Sequence, residues 1–162
     1  MKQGVYDILV DLVLTGQAGF YRLAYSYLNN REDALDAVQN AVSRALGHYG
    51  ELKSEKAVKS WFYRILINEC LMLLKERARS AGNIDDMGEV PYEEKGFEPS
   101  ADLGNYLDCL DTETKTIIKL RFFEELSLTE TAEIMDMNLN TVKAKLYRGL
   151  KQLKVIIPED EL

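Results

Sequence analysis

Residues 127–154 read SLTETAEIMDMNLNTVKAKLYRGLKQLK, and they decide how the C-terminal part of the chain folds. Ser127 and Glu130 have the S-x-x-E spacing of a capping box, in which each side chain satisfies a backbone N–H at the other's position. The spacing predicts a short helix carrying Ala132, Ile134 and Met135, broken at Asp136-Met137-Asn138. Asn138 can cap a second helix with an inner face of Val142, Leu146, Leu150 and Leu153. Helix, tight turn, helix is the arrangement that lays its second helix in a DNA major groove. Asn140, Thr141, Lys143, Ala144, Tyr147, Arg148 and Lys151 avoid the inner stripe. Lys and Arg suit phosphates and guanine, Asn and Thr suit base edges, and Ala or Tyr can meet a thymine methyl. The alternative is an amphipathic helix that is merely core, but the cap, the turn and the acid-free outer face favour DNA.

Charge works outward from that helix in blocks. The whole chain of 162 residues carries a net charge of −7, which by itself argues against phosphate binding. Yet residues 137–157 hold five bases and no acid, and residues 53–79 hold seven bases against three acids. Between them, residues 84–113 hold ten acids and one base. Two basic islands separated by an acidic stretch suggest two nucleic-acid-facing modules joined by a segment that avoids DNA. With 46% hydrophobic and 29% charged residues, the composition fits two small globular domains.

Helical periodicity dominates throughout, so the fold class is all-α. Three parts are expected: a helical unit over 1–80, a flexible acidic linker over 81–100, and a helical unit over 101–162. In the first, Val5, Ile8, Leu9, Leu12 and Val13 predict a helix stopping at Gly16, and Phe20, Leu23, Ala24 and Tyr27 a second stopping at Asn29-Asn30. Asn30 can cap a third, with Glu32 and Asp33 favourably placed in its first turn and Leu35, Val38, Val42, Ala45 and Leu46 as its buried stripe. A fourth begins near Ser54 and carries Val58, Trp61, Phe62, Ile65, Leu66 and Leu73. Four such helices can share one core. The linker has Gly, Pro and acids without a period. Beyond it, Ser100 caps a helix with Leu103, Tyr106, Leu107 and Leu110, and Asp111 caps another with Ile117, Ile118 and Leu120.

The fourth helix of the first unit interleaves Lys53, Lys56, Lys59, Arg64, Lys75, Arg77 and Arg79 with Trp61, Phe62 and Tyr63. Bases among aromatics suit single-stranded DNA, since every base has a face to stack and every nucleotide a phosphate. Trp61 and Phe62 lie on the apolar stripe and read as core; Tyr63 and Arg64 read as exposed. On the third helix Asp33, Asp36, Gln39, Asn40 and Ser43 recur on the polar side, a face that is either solvated or docks on a partner helix. Cys70, Cys109 and the lone His48 have no ligand spacing, so no metal or cofactor is expected and both cysteines read as small buried hydrophobes. There is no Gly-rich phosphate loop and no nucleophile-base pair, so an enzyme is the reading that fits least and no small-molecule substrate is expected. No apolar run reaches the roughly 20 residues of a membrane span, and a cytoplasmic protein is expected.

FYRLA at 20–24, DALDAVQNAVSRAL at 33–46 and KSWFYRILINECLMLLKERAR at 59–79 resemble region two of extracytoplasmic-function (ECF) sigma factors of RNA polymerase. Residues 127–153 resemble the helix-turn-helix of their region four. The two resemblances fall in the family's order across nearly the whole chain. They imply a non-enzymatic subunit that binds core RNA polymerase and promoter DNA, is held by an anti-sigma factor that is membrane-anchored, and acts in a cell-envelope stress response. Asp33, Asp36, Gln39, Asn40 and Ser43 correspond to the core-polymerase surface. Glu51, Leu52, Lys53, Ser54, Lys56, Lys59, Tyr63, Arg64 and Asn68 correspond to the minus-ten contacts, with residues 50–56 as the loop that captures an extruded base. Arg121, Asn140, Thr141, Lys143, Ala144, Lys145, Tyr147 and Arg148 correspond to the minus-thirty-five contacts. The chain departs from the family at Asn40, where Glu is usual, at Asn140, where Gly is usual, and at Gly149, where Ala is usual. Gly149 is expected to loosen the recognition helix by roughly 0.5–1 kcal/mol.

Two rival readings fit less of the chain. A sigma-like mimic that only binds an anti-sigma protein should have lost the bases of its recognition helix, which are present. A stand-alone helix-turn-helix repressor leaves the basic aromatic helix of the first unit unexplained.

Overall fold

The computed structural model of the protein describes residues 2–80, 107 and 109–156, and these contain helices and turns without a strand. The chain divides into two compact units, 1–96 and 97–162. The expected linker at 81–100 and the helix start at Ser100, Leu103 and Tyr106 lie outside the described residues.

The first unit has three long helices where four were expected. Helix α1 spans Lys2–Leu28 and runs straight through Gly16. A Cβ at position 16 would lie 2.7 Å from the Phe20 ring. Helical side chains lean toward the preceding turn, so the missing Cβ at i−4 is the seat of that ring rather than a helix stop. Phe20 there is fully buried and meets Phe62 at 4.8 Å between centroids. The helix ends at Asn29, which takes a left-handed φ of 52°. Asn30 then caps α2, Arg31–His48, its side chain accepting from the Asp33 N–H at 2.9 Å. Two single turns, Tyr49–Glu51 and Glu55–Ala57, lead into α3, Val58–Ser80.

The buried stripe of α2 is Ala34, Ala37, Ala41 and Ala45. Of the expected stripe only Ala45 belongs to it; Val38 and Val42 are half-buried, and Leu35 and Leu46 are 46% and 44% exposed. Alanines let the α2 backbone approach α1 and α3 closely, and a larger side chain on that seam would force the helices apart. Hydrophobic size marked the wrong face; the short distance between helices selects the small residues. Ion pairs fasten α2 to α3 at two levels, Arg77 donating to Asp33 at 2.5 Å and Arg44 to the buried Glu69. The order of those pairs along the chain makes the two helices antiparallel.

The second unit packs around Leu107, Leu110, Ile117, Ile118, Ala132, Val142, Leu146 and Leu153. Asp111 caps α4, Thr112–Ile118, accepting from the Thr114 hydroxyl at 2.7 Å and its N–H at 3.2 Å. Helix α4 widens into a π turn at Lys119–Phe123. Helix α5, Leu128–Met135, opens on the expected capping box, with bonds of 2.9 and 3.0 Å between Ser127 and Glu130. It closes on Asp136 in a left-handed conformation, where the Met137 N–H reaches Ala132 C=O at 3.0 Å. Asn138 accepts from the Asn140 N–H at 2.7 Å and starts α6, Leu139–Ile156. Gly149 has a packing role beside its helix-propensity cost. A Cβ there would fall 2.5 Å from Thr114 Cγ2, so the glycine is what lets α6 lie against α4. Cys70 is buried as expected, but Cys109 is exposed, at a turn before α4 rather than on a packed face.

Candidate nucleic-acid interface

In the second unit Val142 and Leu146 are buried under α6, with Leu150 half-buried and Leu153 buried further along. That anchor turns Asn140, Thr141, Ala144, Tyr147, Arg148 and Lys151 outward, all exposed, Tyr147 by 59%. Lys143 is half-buried at the edge of the face. Lys145 points to the other flank, where its Nζ lies 3.3 Å from Glu113 of α4. Arg121 sits on the π turn with its guanidinium 5.4 Å from the Phe122 ring centre. Phe122, exposed by about half, escaped the sequence reading. Adjacent residues on a helix point about 100° apart, and here Phe123 packs on the core while Phe122 turns out; the adjacent pair was the available signal, though it does not say which member faces outward.

At the base of this unit the Thr114 hydroxyl bond, aided by Thr114's N–H and by Lys145, holds the Asp111 carboxyl below its ordinary range despite desolvation. The same hydroxyl fixes where the Thr114 methyl stands against Gly149. Thus the helix cap and the α4/α6 contact are one arrangement.

In the first unit residues 50, 51, 53, 54 and 56 are exposed and Leu52 is half-buried. Within this loop Leu52 N–H bonds Tyr49 C=O and Ala57 N–H bonds Ser54 C=O, each at 3.1 Å. Lys59, Arg64 and Asn68 follow on α3 and are exposed; Arg64 and Asn68 share a stripe with Lys75 and Arg79. Tyr63 does not join them. It is 5% exposed, its ring edge-on to Phe20 at 5.3 Å, because one residue on from Phe62 still falls on the inner side of α3. The expected exposure of Tyr63 is therefore corrected, and Trp61, expected in the core with Phe62, is half-buried. Arg77 is committed to Asp33 rather than extending the basic stripe.

On α2, Asp36, Gln39, Asn40 and Ser43 are exposed, while Asp33 is half-buried against Arg77. Leu35 and Leu46 line one edge of this polar face, so it is amphipathic rather than purely polar. A groove of about 360 Å³ beside it is lined by Asn40, Ser43, Arg44, Glu69, Met72, Leu73 and Glu76. No group of three or more metal-ligating side chains occurs among the described residues. None of their helices is long and apolar enough to cross a membrane.

Residues 12–80 match the Sigma-70 region 2 family and residues 100–153 match Sigma-70, region 4. The chain belongs to the ECF sigma factors. It is 38% identical to RNA polymerase sigma factor SigV of Bacillus subtilis, over 99% of this chain and 98% of that one. It is 27% identical to ECF RNA polymerase sigma factor SigW of the same organism, covering 95% and 91%. With the RNA polymerase sigma-E factor of Streptomyces coelicolor the identity is 26%, covering 89% and 82%. The fold is also that of the sigma factor RpoE from Bartonella quintana, solved with the anti-sigma factor NepR, at TM-score 0.70 and 22% identity over 91% of this chain and 94% of that one. CnrH, solved with the cytosolic domain of CnrY, gives TM-score 0.70 at 17% identity, covering 96% and 95%. This ECF factor is thus an alternative sigma factor of transcription initiation.

Proposed function

We propose that this sigma factor divides promoter recognition between its two units, α6 reading the duplex minus-thirty-five element and the 50–56 loop with α3 holding the melted minus-ten strand. The observation that carries the reading is the outer face of α6, acid-free and exposed above the Val142/Leu146 anchor inside a doubly capped helix-turn-helix. A rigid helix serves a groove, while exposed lysines, backbone and α3 bases serve a single strand. In this reading Arg121, Asn140, Thr141, Lys143, Ala144, Tyr147 and Arg148 contact the duplex. Glu51, Leu52, Lys53, Ser54, Lys56, Lys59, Arg64 and Asn68 surround the strand. Asp36, Gln39, Asn40 and Ser43, edged by Leu35 and Leu46, dock core polymerase.

Regulation follows the same logic. An anti-sigma factor, membrane-anchored so that the signal arises at the envelope, holds the factor until stress releases it; the solved complexes of RpoE with NepR and CnrH with CnrY support this class of partner. Run-off transcription with core polymerase, followed by sequencing of the start sites, tests the reading. Defined starts that appear only with this chain are the expected result, and Asp36→Lys with Gln39→Ala should weaken core binding while leaving the helical spectrum intact. Starts independent of the chain would refute it.

A further inference from the structure

The 49–57 segment has little of its own to hold it. Most of its side chains are exposed, and its internal bonds are two single turns and the Ser54 hydroxyl's cap on the Lys56 N–H at 3.2 Å. Apart from the flanking helices, the element that both turns pack against is the N-terminal end of α1. Tyr6 stacks on Tyr49 with ring centres 5.3 Å apart and planes tilted by 52°. Glu55 lies across Gly4 so closely that a Cβ at position 4 would overlap its carboxylate.

The two acids of the segment explain why this matters. A carboxylate in a loop offered to an anionic strand is electrostatically misplaced unless it is turned elsewhere. Glu51 turns back to His48, with Oε2 2.8 Å from Nδ1. Glu55 turns to the first turn of α1, where the helix dipole favours negative charge. All four charged side chains of the loop, Glu51, Lys53, Glu55 and Lys56, remain exposed, the two acids each aimed at a neighbour. Gly4 and Tyr6 lie in the N-terminal turns that precede the region 2 match, which begins at residue 12.

We propose that Gly4 and Tyr6 of α1 are positioning residues that seat the 49–57 loop, through Glu55 and Tyr49, in the shape that captures the melted strand. The proposal rests on the strand-capture reading above. An aromatic pair of this kind contributes an amount equivalent to roughly a two- to tenfold change in an opening equilibrium. In the free full-length chain, Tyr6→Ala should therefore speed amide exchange at Leu52 and Ala57 by about that factor, leaving amides of α2 and α3 unchanged. Gly4→Ala should do the same by displacing the Glu55 carboxylate, a shift cheap enough to spare the fold. With core polymerase, both variants should weaken binding of a single-stranded oligonucleotide that carries the minus-ten sequence of a promoter found by start-site sequencing. Tyr6→Phe, which keeps the ring pair, should restore both readouts. Unchanged exchange at Leu52 and Ala57 in Tyr6→Ala overturns the proposal. So does a loosened loop that still captures the strand at the normal level while Lys53→Ala weakens capture. If Lys53→Ala and Arg64→Ala leave capture intact as well, it is the strand-capture reading that has failed, and the seat loses its purpose with it.

Discussion

Replacing Gly149 by Ala separates helix propensity from packing. In an exposed helix the change should stabilise by about 1 kcal/mol, because glycine carries the larger conformational entropy cost. In this protein the new Cβ meets Thr114 Cγ2 at 2.5 Å, Ile118 Cδ1 at 3.2 Å and Leu110 Cδ1 at 3.7 Å. The Thr114 methyl cannot swing away without breaking the 2.7 Å bond from its hydroxyl to Asp111. Overpacking of this kind costs about 1–3 kcal/mol, so the expected net is a loss of roughly 1 kcal/mol. For a unit of this size that is a fall of about 4–8 °C in the melting point. The chain's single tryptophan, Trp61, lies in the first unit, so its fluorescence transition should stay put while the second unit, followed by far-ultraviolet circular dichroism, melts earlier. Thr114→Ser deletes Cγ2 and keeps the hydroxyl, and in that background Gly149→Ala should cost less or turn stabilising, a coupling read from the double-mutant cycle. A stabilising Gly149→Ala in the native background, or a cost that Thr114→Ser leaves unaltered, would refute the close-packing account.

Asp111, with its pKa lowered by the Thr114 hydroxyl, contributes stability that is present above its unfolded value near 4 and lost as pH falls through the lower folded value. Urea titrations of native protein and Asp111→Asn should differ fully at pH 7 and converge at acid pH; a gap that widens on acidification contradicts the assignment. Arg44→Ala should leave the Glu69 carboxylate buried without its charged partner and cost about 1–3 kcal/mol in the first unit, whereas Arg44→Met with Glu69→Leu should recover most of it, measured by Trp61 fluorescence. On duplex promoter DNA, Arg148→Ala should weaken binding by about 1–3 kcal/mol if it reads a base, or flatten the salt dependence if it meets phosphate. Lys145→Ala should do less, because its ammonium already faces Glu113; equal losses in titrations at two salt concentrations would count against that division.

What was legible in the sequence was local. The Ser127/Glu130 box and the Asn30, Asp111 and Asn138 caps are satisfied within three residues, so spacing alone placed the helix starts. The inner stripe of α6 was readable because one helix face meets one core. Errors came where a partner element decides. Gly16 reads as a stop until the Phe20 ring fills the space above it, and the α2 stripe reads as leucine and valine until the close approach of α1 and α3 selects alanine. Tyr63 looked like a stacking residue because a run of three aromatics does not declare which member faces inward. The ion pairs Arg77–Asp33 and Arg44–Glu69 join residues far apart in the chain, and no local spacing announces them.

The alanine seam of α2 also divides that helix by its tolerance to change. Ala34, Ala37, Ala41 and Ala45 admit almost no substitution, since any added carbon must push a neighbouring helix. The exposed side chains opposite, Leu35, Asp36, Gln39, Asn40, Ser43 and Leu46, share no core with them and can be exchanged at little cost to folding. On the proposed docking reading, a helix built this way lets its affinity for polymerase be retuned by surface substitutions alone, one residue at a time, with the scaffold left untouched.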